Sequence, residues 1–78
     1  MPPSTRISIV RQALDDILER IEEMAASPGV VELREKARSY DLIVQGWDSR
    51  PPTEQARAAM LKAVLELNVA VIEAGKLA

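Results

Sequence analysis

The segment Ala26-Ser27-Pro28-Gly29-Val30 decides the fold. Proline lacks an amide donor and clashes with the preceding turn, and it drives the residue before it out of α geometry. Ser27 is therefore read as a helix N-cap and Pro28 as the first helical residue. Helices meeting across so short a break must be antiparallel neighbours.

Upstream, Ile7, Val10, Leu14, Ile17, Ile21 and Met24 recur three and four residues apart, which places them on one helical stripe. Ala13, Leu18 and Ala25 widen it, and Ser4 or Thr5 is positioned to cap the first turn. Downstream, Val30, Leu33, Ala37, Tyr40 and Val44 repeat the spacing, and Glu32 and Lys36 form a favourable i,i+4 pair. Gly46 is read as a left-handed C-cap, with Trp47 folding back on Leu42. Asp48-Ser49-Arg50-Pro51-Pro52 is a loop, after which Thr53 caps a third helix and Glu54 favours its positive end.

That helix carries Met60, Val64, Leu67, Val71 and Ala74 on one line, with Leu61, Leu65 and Ile72 on a second line beside it. Gly75 is expected to end it. The expectation is an all-α, antiparallel up-down-up three-helix bundle, with helices near 5–26, 28–46 and 53–75, and with dimerisation as a further means of completing it. Residues 1–4 are read as a disordered N-terminal tail and 5–78 as a single helical domain. The expected core is Val10, Leu14, Ile17, Ile21, Leu33, Ala37, Tyr40, Val44, Met60, Val64, Leu67 and Val71. A hairpin of the first two helices, completed only by another subunit, is the structural alternative.

Composition narrows the chemistry. The chain has 78 residues, no cysteine and no histidine, which removes disulfides, thiol and imidazole catalysis and the usual zinc ligands. A domain this small has a thin stability margin, and association is the remaining way to widen it. The net charge of −2 provides no strong field for phosphates. No apolar run is long enough to span a bilayer, and the first residues lack the apolar segment of a signal peptide, so a cytoplasmic location is expected.

Hydrophobic residues make up 47% of the chain, more than a fold this small needs to hide. The width of helix 3 has a plain explanation, since each helix of a three-helix bundle touches two others. The surplus still favours a partner. Asn68 stands in line with Leu61, Leu65 and Ile72; an amide there either pairs across an interface and fixes register, or sits at an edge in water. Leu42, with Val31 and Ile43, projects from the far side of helix 2. Trp47 either anchors an interface or closes one end of the core. Glu19, Glu22 and Glu23 crowd the negative end of helix 1, where Arg34 and Lys76 are placed to offset them.

Arg34, Lys36 and Arg38, with Arg50 and Arg57, form the basic grouping that a DNA-associated dimeric transcriptional regulator would use, though Lys36 points away from its neighbours. Arg11, Leu14, Asp15 and Ile17 resemble a short part of the first-helix pattern of the helical chorismate mutase family, which implies a small all-α enzyme. The second acidic position of that pattern is Leu18 here, and Pro28 interrupts the family's long first helix. No phosphate loop, nucleophile elbow or metal-spaced carboxylate pair is present. No catalytic residue, metal or cofactor is expected. The sequence instead predicts a non-enzymatic protein–protein interaction module, such as an adaptor, docking domain or small regulatory subunit. It would associate with itself as a homodimer through helix 3. Leu61, Leu65, Asn68, Ile72, Leu42 and Trp47 are the expected partner-binding residues.

Overall fold

The computed structural model describes residues 6–77. It is an all-α three-helix bundle: α1 spans Ile7–Glu22, α2 spans Pro28–Gly46 and α3 spans Glu54–Leu77. Each helix packs on both others, so the open two-helix hairpin is not the structure of this chain. The end of α1, the start of α2 and the last turns of α3 line one depression, through Met24, Val30 and Ala74. Thus α1 and α3 run in the same direction and α2 returns between them.

The core is built from the anticipated stripes. Val10, Leu14, Ile17 and Ile21 of α1 meet Val30, Ala37 and Val44 of α2 and Met60, Val64, Leu67 and Val71 of α3, all buried. Burying a Val, Leu or Ile side chain stabilises by about 1.5–3 kcal/mol relative to leaving it exposed, and this term holds the three helices together. Leu33 and Tyr40, expected in the centre, pack on its edge and stay half-buried, whereas Val30 in the first turn of α2 is buried. The two-turn spacing of Val30, Ala37 and Val44 is what faces inward, and Leu33 and Tyr40 flank that line.

The caps follow the sequence where a polar side chain supplies them. Ser27 is extended, and its Oγ accepts from the Val30 amide at 3.3 Å, with Pro28 opening the helix. Thr53 Oγ1 accepts from the Ala56 amide at 3.1 Å. Arg6 occupies the N-cap of α1 with no side-chain capping bond. The expected tail at 1–4 and the caps Ser4 and Thr5 lie outside the described residues.

Four local expectations are corrected. Helix α1 stops at Glu22 rather than near Ala26, and the Glu23 and Met24 amides close i→i−3 bonds onto Arg20 and Ile21. The physical reason is distance. Axes of packed helices lie about 8–10 Å apart, so the reversal needs several non-helical residues. Gly46 does not adopt positive φ; α2 runs through it to an αR C-cap at Trp47 and unwinds in successive i→i−3 turns. Gly75 likewise has negative φ, and α3 continues past it to Leu77. Trp47 does not fold back on Leu42: the indole packs against the core, and Leu42 is left 69% exposed.

Candidate interaction surface

Helices α1 and α3 solve the same packing problem. The succession of buried, half-buried and exposed positions along residues 6–26 recurs without change along 56–76. Val10 matches Met60, Leu14 matches Val64, Ile17 matches Leu67 and Ile21 matches Val71. The outward positions differ in chemistry. Where α1 carries Arg11, Asp15, Glu19 and Glu22, α3 carries Leu61, Leu65, Val69 and Ile72.

This comparison separates core from surplus. A helix with two neighbours in this bundle needs only the inner stripe, since α1 buries the same positions with charged residues outside them. The apolar outer side of α3 is therefore not required by intramolecular packing. Leu65 is 52% exposed, Val69 58% and Ile72 39%, while Leu61 is half-buried. Ala58, Leu61, Lys62, Leu65, Glu66 and Val69 line a shallow, open depression formed by α3 alone. Val69 was not among the residues expected from the sequence. It lies four residues after Leu65 and three before Ile72, the spacing that identifies it.

Asn68 borders this strip on the α1 side. It is half-buried, and its Oδ1 accepts from Arg20 Nη1 at 2.9 Å. The amide oxygen is thus satisfied within the chain, which makes Asn68 part of the α1–α3 seam. Leu42, Ile43 and Val31 are exposed on α2, and Leu42 does not join the depression on α3. Trp47, half-buried against the core, is placed as a plug at its margin.

Most arginines are engaged within the chain. Arg11 pairs with Asp48, tying α1 to the end of α2. Arg57 Nη2 lies 2.6 Å from Glu54 and its Nη1 donates to the Pro52 carbonyl at 2.9 Å. Arg34 approaches Glu22 at 3.9 Å, offsetting the acidic end of α1 as anticipated. Lys76 does not share that role; it lies 3.7 Å from Glu73 on its own helix. Among the described residues no cluster of three or more acidic, His or Cys side chains has the geometry to hold a metal ion, and no helix is long and apolar enough to cross a membrane. No family model, curated protein or solved structure matches the chain.

Proposed function

We propose that this protein is a non-enzymatic interaction module that associates with itself through the outer side of α3, in the manner of an adaptor, docking domain or small regulatory subunit. One observation carries the reading: Leu61, Leu65, Val69 and Ile72 occupy positions that α1, with the same burial pattern, fills with charged residues. Exposed contiguous apolar surface disfavours a free monomer in water, and covering it with a second copy recovers part of that free energy. Leu42 and Trp47 are placed outside this surface and are not needed for it.

A dilution series followed by amide NMR tests the proposal. Self-association through α3 moves the signals of residues 58–72 with protein concentration and leaves the exposed side of α2 unchanged. Concentration-independent spectra, or shifts centred on Leu42 and Ile43, would overturn it.

A further inference from the structure

The exposed side of α3 has the spacing of a helix–helix seam. Ala58, Lys62, Leu65, Val69, Ile72 and Lys76 follow one another at alternating steps of four and three residues. A lysine at either end of an apolar centre constrains how two such seams can meet. We propose that two copies pair through α3 in antiparallel orientation, with Leu65 of each copy opposite Val69 of the other. This rests on the reading of α3 as a self-association surface and adds the orientation and register.

Charge decides the orientation. In a parallel, in-register pair each seam residue meets its own copy, so Lys62 faces Lys62 and Lys76 faces Lys76 inside the contact. Like charges brought together out of water are costly. In the antiparallel register Lys62 lies opposite Ile72 and Lys76 opposite Ala58. The lysine stem covers the apolar neighbour while its ammonium reaches outward. On that flank the Lys62 ammonium comes beside Glu73 of the second copy, and the pair forms twice across the two-fold axis. Two Leu65–Val69 layers form the apolar centre, and the half-buried Leu61 and Asn68 border it on the α1 side. Glu66 of each copy lies beside the axis, so antiparallel pairing also predicts that Glu66→Gln tightens the dimer.

The chain contains no cysteine, so single cysteines report register directly. A disulfide requires Cα atoms within about 7 Å. Lys62→Cys, Ile72→Cys and an equimolar mixture of the two are oxidised mildly, and products are separated by mass. Circular dichroism confirms that each variant is folded, and sedimentation equilibrium follows the unmodified chain. The antiparallel dimer gives the mixed Lys62→Cys/Ile72→Cys disulfide and no Ile72→Cys homodimer. A strong Ile72→Cys homodimer with a dimeric parent chain overturns the orientation while leaving self-association intact. A dimeric parent with no cross-link in any sample overturns this register. A monomeric parent at all concentrations removes both this inference and the self-association on which it rests.

Discussion

The Arg20 guanidinium donates to the Asn68 amide oxygen at 2.9 Å, joining α1 to α3 on the border of the exposed apolar strip. Both side chains keep access to water, so the bond is a modest stabiliser. Thermal or denaturant unfolding of Arg20→Ala, Asn68→Ala and the double variant should give a coupling of about 0.5–1 kcal/mol. Strict additivity would show that the bond contributes nothing.

Asn68→Leu extends the apolar strip and frees Arg20 to return to water. The expected result is a modest rise in Tm together with a mixture of oligomeric states in sedimentation velocity. A fall in Tm would mean that the Arg20 bond outweighs the added apolar contact.

Leu65→Asp places a charge in the middle of the strip without touching the buried stripe. The variant should keep its helical circular dichroism and lose concentration-dependent association. Unfolding of this variant would assign Leu65 to the intramolecular core, against its 52% exposure.

Leu14→Ala or Ile17→Ala opens a cavity among side chains that are almost fully buried. Such truncations cost about 2–5 kcal/mol. A domain of 78 residues has roughly 4–12 kcal/mol in all. Denaturant melts should therefore show severe loss of stability for either variant. A loss below about 1 kcal/mol would contradict the tight packing at these positions.

Ser27→Ala removes the acceptor for the Val30 amide at the start of α2. The expected cost is about 1 kcal/mol by denaturant unfolding. Ser27→Gly should cost only a few tenths, since glycine tolerates the cap conformation.

The buried stripes of α1 and α3 were legible because apolar periodicity and burial are the same fact written twice, whereas in α2 the larger side chains Leu33 and Tyr40 drew the expected line away from Val30. Val10, Leu14, Ile17 and Ile21 show this most directly: all four recur at helical spacing and all four are buried, while Ile9, off that stripe, stays 49% exposed. Ser27 and Thr53 were legible because their hydroxyls have one local role beside a proline or a helix start. The glycines were misleading: Gly46 and Gly75 permit a left-handed cap but do not compel one, and the continuing chain kept helical φ. Trp47 was ambiguous because only three-dimensional packing distinguishes a neighbour on the same helix from a core lined by all three helices. The strip on α3 was half legible. Leu61, Leu65 and Ile72 stood out, but a bundle helix is expected to be broad. Only the matched burial of α1 shows that their breadth exceeds what the fold uses.

The most direct test of that excess is the molar mass of the unmodified chain, measured by light scattering over a wide concentration range. The account predicts a concentration-dependent rise from the 8.6 kDa of one chain toward twice that value. A mass that stays at one chain throughout would contradict it.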